Sequence, residues 1–131
     1  MIAFDTSLIV RVATGDSPKQ KRKALALLES DQVLVPKSVI LETEWVLRSR
    51  YKLTAQEIAK FLLFLVESQG ILIEDTDSVR KALGYYEAGA DFADAIHLAS
   101  AGDTPLYTLD KAFCRQAIKK GVAPGVKIVA A

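Results

Sequence analysis

Val33-Leu34-Val35-Pro36-Lys37-Ser38-Val39-Ile40-Leu41-Glu42-Thr43-Glu44-Trp45-Val46-Leu47-Arg48-Ser49-Arg50 is the stretch that decides the fold class. Three apolar residues suited to a strand stop at a proline, which cannot donate to a ladder. Ser38, a good capping residue, then opens a helix predicted to reach about Arg50. A short apolar strand passed directly to a helix is the repeating unit of a parallel sheet. Upstream the unit recurs. Ile2-Ala3-Phe4 reads as a first strand, and Thr6 to Ala13 as a helix ended by Gly15. Ser17-Pro18 opens a second helix, to about Ser30, because serine caps and proline suits the first turn.

Downstream, Thr54-Ala55-Gln56-Glu57 is a capping box that opens a helix through Glu67. Ile71-Leu72-Ile73 is a third strand. A helix from about Asp77 to Ala88 sets Val79, Leu83 and Tyr86 on one face, and Gly89 ends it. Asp91 to Ala101 is an alanine-rich helix, so its neighbours can approach closely. Leu106 to Leu109 is a fourth strand, Lys111 to Lys120 a helix stopped by Gly121, and Val126 to Val129 a fifth strand. The expectation is a single α/β domain over residues 1–131, around a mainly parallel sheet of about five strands.

Half of the 131 residues are hydrophobic and a quarter are charged, enough apolar material for a core without staples. Cys114 is the only cysteine and has no internal disulfide partner, which fits a reducing, cytoplasmic setting. Asp5 interrupts the apolar start, so no secretory leader is expected. The longest apolar run, Phe61 to Val66, is far short of a membrane span. A net charge of +1 does not mark a dedicated electrostatic binder of nucleic acid.

Four carboxylates stand in apolar surroundings: Asp5 after Ile2-Ala3-Phe4, Glu42 after Val39-Ile40-Leu41, Asp94 within Phe92-Ala93-Asp94-Ala95-Ile96, and Asp110 after Leu106-Tyr107-Thr108-Leu109. Isolated carboxylates are costly to bury, and no basic residue accompanies these at matching intervals. A divalent cation, which takes oxygen ligands, is the simplest shared partner. Asp5 and Asp110 fall at carboxyl ends of strands, where open parallel sheets place their ligand sites.

Each acid also has a structural reading. Asp5 and Asp110 precede helices and suit N-caps, as does Asp91. Asp94 lies in the first turn of its helix, where the dipole favours negative charge. On a helical wheel Glu42 falls between Trp45 and Val46, among apolar neighbours, whereas Glu44 falls near Arg48 as a surface pair. Glu42 is therefore expected to be the functional acid and Glu44 to be solvated. His97, the only histidine, lies one turn beyond Asp94. Thr6 and Thr108 flank strand-end acids and could orient carboxylates. Lys19, Lys21, Arg22 and Lys23 form a basic run that reads as a solvated helix face, and Arg48, Arg50 and Lys52 form a second basic patch.

With those residues in place, the chain resembles the PIN-domain family, and within it the VapC-like toxins of toxin–antitoxin pairs. The resemblance rests on Ile2-Ala3-Phe4-Asp5-Thr6-Ser7, on Val39 through Tyr51, on Gly89-Ala90-Asp91-Phe92-Ala93-Asp94-Ala95-Ile96, and on Tyr107-Thr108-Leu109-Asp110. It implies an α/β/α domain around a parallel, roughly five-stranded sheet, and an endoribonuclease that uses Mg²⁺, with Mn²⁺ as a substitute. Carried over by position, Asp5, Glu42, Asp94 and Asp110 match the family's acidic quartet. Asp5, Asp94 and Asp110 would be metal ligands, with Asp91 an additional one found in part of the family. Glu42 would orient or deprotonate the attacking water, and Thr108 matches a hydroxyl beside the fourth acid. The resemblance further implies a cognate VapB-like antitoxin, an RNA substrate, a homodimer, and contact with promoter DNA only through the antitoxin.

Two other readings compete. A catalytically inactive PIN-like module would bind nucleic acid without cutting it. An aspartate-dependent phosphatase would want Asp-x-Asp after the first strand, where this chain has Asp5-Thr6-Ser7.

Overall fold

The computed structural model describes residues 1–110, 112–113 and 126–129. In order, the elements are β1 (Ile2–Ala3), α1 (Thr6–Ala13), α2 (Pro18–Ser30), β2 (Val33–Val35), α3 (Lys37–Ser49), α4 (Ala55–Glu67), β3 (Ile71–Ile73), α5 (Thr76–Glu87), α6 (Phe92–Ala101), β4 (Leu106–Thr108) and β5 (Val126–Ile128). The alternation of strand and helix expected from the apolar runs is thus present. The expected helix over 111–120, its Gly121 stop and Cys114 lie outside the described residues, except that Ala112 and Phe113 are helical.

Among the described residues, the expected five-stranded sheet is replaced by two parallel sheets, β1-β2-β3 and β4-β5. In the first, Ile2 stands opposite Val33, and Val33 to Val35 run opposite Ile71 to Ile73. In the second, Leu106 to Thr108 run opposite Val126 to Ile128. The reason lies in β1. Only Ile2–Ala3 extend before Asp5 caps α1, and this short stretch pairs with β2 alone, while β4 takes β5 as its partner.

Helix starts follow local chemistry. Thr54 and Glu57 form the expected capping box, with hydrogen bonds of 3.1 and 3.0 Å. Ser17 precedes Pro18 as expected but makes no side-chain cap. Helix α3 begins two residues earlier than a Ser38 cap predicts. Pro36 takes the cap position, and the carboxylate of Glu74 accepts the Lys37 N–H at 2.8 Å. The Lys37 ammonium also pairs with Asp75 at 2.9 Å, which ties the entry of α3 to the end of β3. Gly89, at φ 106°, adopts a backbone conformation that favours glycine, and turns the chain from α5 into Asp91 and α6.

The main core lies between the first sheet and the helices. Val33 and Val35 of β2 are fully buried, and Ile9, Ile40, Leu47, Ile58, Leu62, Leu65 and Val79 close over them. A smaller cluster joins Leu98 of α6 to Val126 of β5, with Leu106 and Phe113 against it. Helix α2 buries only Ala24, and Lys19, Arg22 and Lys23 of the basic run are exposed on it. No helix of the described residues is long and apolar enough to cross a membrane.

Candidate active site

Asp5 follows β1 and caps α1. Its carboxylate accepts the Ser7 hydroxyl at 2.6 Å and the Leu8 N–H at 3.3 Å. Those bonds hold its pKa below the usual aspartate range, the Ser7 hydroxyl contributing most. Asp5 is exposed, so the capped carboxylate is ionised and open to solvent. The capping and ligand readings of Asp5 are therefore compatible.

The next residue, Thr6, is buried. Its hydroxyl donates to the Glu42 carboxylate, linking the first turn of α1 to α3. Asp5, Thr6 and Glu42 line one open hollow of about 430 Å³, together with Trp45, Arg50 and Tyr51. Tyr51 and Arg11 are committed to each other and to Asp16. The Tyr51 hydroxyl donates to Asp16 at 2.7 Å, and Arg11 reaches Asp16 at 3.0 Å. The Arg50 side chain has no ion pair or hydrogen bond among the described residues.

A second hollow adjoins the first, lined by Ser38, Glu42, Glu44, Trp45, Arg48 and Asp91. Glu42 and Trp45, one turn apart on α3, border both. Here the structure reverses the expectation for the two glutamates. Glu44 is only 3 % exposed, whereas Glu42 is exposed. The buried stripe of α3 runs through Ile40, Thr43, Glu44 and Leu47, so Glu44 falls on it and Glu42 falls beside it. Glu44 is held by three donors: Arg48 Nε at 2.8 Å, Arg48 Nη2 at 3.4 Å and the Tyr86 hydroxyl at 2.9 Å. Burial, then the bond to Glu44, pushes the Tyr86 phenol well above its ordinary value. The ring of Tyr86 meets Phe92 edge-on, with centroids 5.0 Å apart. This network joins α3, α5 and α6 beneath the acids. The spacing 40, 43, 44, 47 is visible in the sequence, but which stripe α3 buries is fixed by the elements packed on it.

Asp91 caps α6 by accepting the Asp94 N–H at 3.1 Å. Asp94, on the first turn, is half-buried, and its carboxylate accepts no hydrogen bond among the described residues. Its pKa is raised, chiefly by burial, then by the charges of Asp91 and Asp110, with His97 acting in the opposite sense. Asp110 closes this side. Its N–H donates to the Thr108 hydroxyl at 3.0 Å, and its carboxylate accepts the Phe113 N–H at 3.1 Å. Thr108 thus bonds the backbone beside the acid.

The acids therefore stand as two groups, Asp5 with Glu42 and Asp94 with Asp91 and Asp110, with Glu42 bordering a hollow that Asp91 also lines. The PIN-domain family matches residues 2–119 of this chain. The chain belongs to the PIN family. PIN domains are generally metal-dependent nucleases. No curated protein and no solved structure matches the chain. In this PIN domain the acids beside Asp94, Asp91 and Asp110, offer carboxylate oxygens, the hard ligands that Mg²⁺ and Mn²⁺ take, with the His97 imidazole in the same neighbourhood. Among the described residues nothing hydrogen-bonds to the Asp94 carboxylate, and it carries like charges beside it, which a cation would relieve. The chemistry of the donor set fits a divalent metal. Among the described residues, no three His, Cys, Asp or Glu side chains are grouped closely enough to hold one by themselves. Mg²⁺ retains several waters, so a pair of carboxylates can suffice to hold it.

Proposed function

We propose that this PIN domain is a Mg²⁺-dependent endoribonuclease, with Mn²⁺ as a substitute, and the toxin of a toxin–antitoxin pair. The observation that carries the nuclease reading is Asp94, a half-buried carboxylate with a raised pKa beside two further acids, in a chain of a nuclease family. Asp94 and Asp5 would hold the cation, with Asp110 completing the site and Asp91 as an additional ligand. When bound, the cation stabilises charge that builds on the phosphoryl oxygens.

The chain's own residues do the rest. Glu42, fixed by the Thr6 hydroxyl, orients the attacking water and accepts its proton at Oε2, the carboxylate oxygen that Thr6 does not engage. Ser7 and the Leu8 N–H keep Asp5 ionised and in place. Thr108 holds the backbone of Asp110. Arg50, without an ion pair among the described residues, offers its positive charge to phosphate at the rim. Single-stranded or looped RNA is the substrate class, because its bases are accessible.

The toxin reading adds a VapB-like antitoxin that covers the acids, a homodimer, promoter DNA bound only through the antitoxin, and a cytoplasmic setting. It rests on the sequence motifs around Asp5, Glu42, Asp94 and Asp110. An adjacent reading frame of roughly 70–90 codons is expected on family analogy. Induced expression of the chain should arrest growth, co-expression of that neighbour should relieve the arrest, and Asp5→Asn should remove it. Growth unaffected by the wild-type chain in its own host would contradict the toxin role while leaving the nuclease reading to the cleavage assay.

The second reading is a non-cleaving nucleic-acid-binding module of the same family. That module would retain RNA with or without divalent cation and never cut it.

A further inference from the structure

Trp45 is the only tryptophan of the chain, yet half of it is exposed (50 %). A large aromatic ring left half in water forgoes much of its apolar burial, and core packing does not explain its position. Trp45 lies one helical turn after Glu42, and among the described residues these two alone border both hollows. Each of the two hollows that Trp45 borders also has an arginine in its lining. Arg50, without a partner among the described residues, lines the Asp5 hollow. Arg48 lines the other, held by the buried Glu44 yet half-exposed itself. Holding Arg48 in this way fixes its direction without removing it from solvent.

An exposed ring beside hollows lined by arginines is the combination that grips a single nucleic-acid strand. Bases stack on the ring with little regard to sequence, and the arginines follow the phosphates. A duplex hides its base faces and offers nothing to stack. We propose that Trp45 is a base-stacking platform for one unpaired nucleotide of a single-stranded RNA, the flanking phosphates running past Arg50 and Arg48. This inference rests on the nuclease reading and deepens it, because the base on Trp45 would set the phosphate beside Glu42 and Asp5.

Because Trp45 is the sole tryptophan, its fluorescence reads the contact directly. The 131-residue chain, in chelator to prevent cleavage, is titrated with a single-stranded oligoribonucleotide and separately with the blunt duplex of the same sequence. Affinity is measured in parallel by anisotropy of an end-labelled strand. Saturable quenching by the single strand and none by the duplex is expected. Trp45→Ala should weaken single-strand binding by roughly 5- to 150-fold, and Trp45→Phe should stay within about threefold of wild type. Should the alanine variant fail to fold by circular dichroism, tryptophan quenching in the wild type and the single-strand affinity of Trp45→Phe, which has no tryptophan, carry the test. A single strand that binds by anisotropy without quenching, or that binds Trp45→Ala as tightly as wild type, overturns the stacking role and leaves the nuclease reading standing. RNA that is neither bound nor cut in any divalent cation overturns both. Fluorescence that changes with protein concentration alone, with RNA affinity unaltered in Trp45→Ala, would assign the ring to a self-contact and overturn the proposal.

Discussion

The Tyr86 hydroxyl donates to the buried Glu44 carboxylate at 2.9 Å, and Arg48 completes the carboxylate's partners from one turn away. The bond ties α5 to α3 directly beneath the acids. Glu44 is therefore a structural acid, and Glu42, two residues earlier, is the one exposed to the hollows.

Stability should separate the two glutamates. Glu44→Ala removes a carboxylate with three donors and leaves the Tyr86 hydroxyl buried without its acceptor. The expected loss is about 3 kcal/mol. Glu42→Ala, at an exposed position, should stay within about 1 kcal/mol of wild type. Urea unfolding of both variants measures this, and equal losses would contradict the assignment.

Thr6→Val tests the link across α1 and α3. The change keeps the shape but removes the hydroxyl that Glu42 accepts. Cleavage should fall by about tenfold or more, with a stability cost of about 1 kcal/mol, and Thr6→Ser should restore most of the activity. The readout is single-turnover cleavage at saturating cation. A valine variant as active as wild type would show that Glu42 needs no such orientation.

The pH response of Asp94 has a definite sign. Its folded pKa is raised above the ordinary 3.8, so the folded chain binds this proton more tightly than the unfolded chain. Its contribution to stability is present at low pH and is lost as pH rises from about 3.8 through the raised value. Asp94→Asn should accordingly gain stability relative to wild type across that window and run parallel to it at lower pH. Asp5 has the opposite sign: its lowered pKa gives stability that is present above 3.8 and lost as pH falls below it. Unfolding measured from acid to neutral pH for Asp94→Asn and Asp5→Asn should therefore show differences of opposite slope. Parallel curves throughout would contradict the environment described for Asp94.

Divalent cation should relieve the same repulsion. At a free Mg²⁺ concentration of a hundred times its dissociation constant, folding should be stabilised by about 2.7 kcal/mol. Asp94→Asn should lose most of that gain. Thermal unfolding with and without Mg²⁺ measures it, and an equal gain in the variant would place the cation elsewhere.

Much of this was legible in the residues. Apolar triplets such as Val33–Val35 and Ile71–Ile73 marked strands, and Thr54 with Glu57 marked a helix start, because these signals are local. The sheet was not, because pairing is a long-range matter. Nothing in Leu106–Thr108 states whether it joins β1 or only β5. The two glutamates were misread for a related reason. Apolar neighbours in sequence surround Glu42, but α3 packs by its 40, 43, 44, 47 stripe, which only its partners fix. The cap roles of Asp5 and Asp91 were legible from position, whereas the Thr6–Glu42 link, spanning 36 residues, was not.

The central claim is tested most directly by incubating RNA with the purified chain in Mg²⁺ or Mn²⁺, against chelator, beside Asp94→Asn. The account predicts cutting that chelator abolishes and that the variant loses by more than about a hundredfold, with its fold intact by circular dichroism. Cutting that survives in chelator, or in Asp94→Asn, would contradict it, as would a folded, metal-loaded, partner-free chain that leaves a broad panel of RNAs intact.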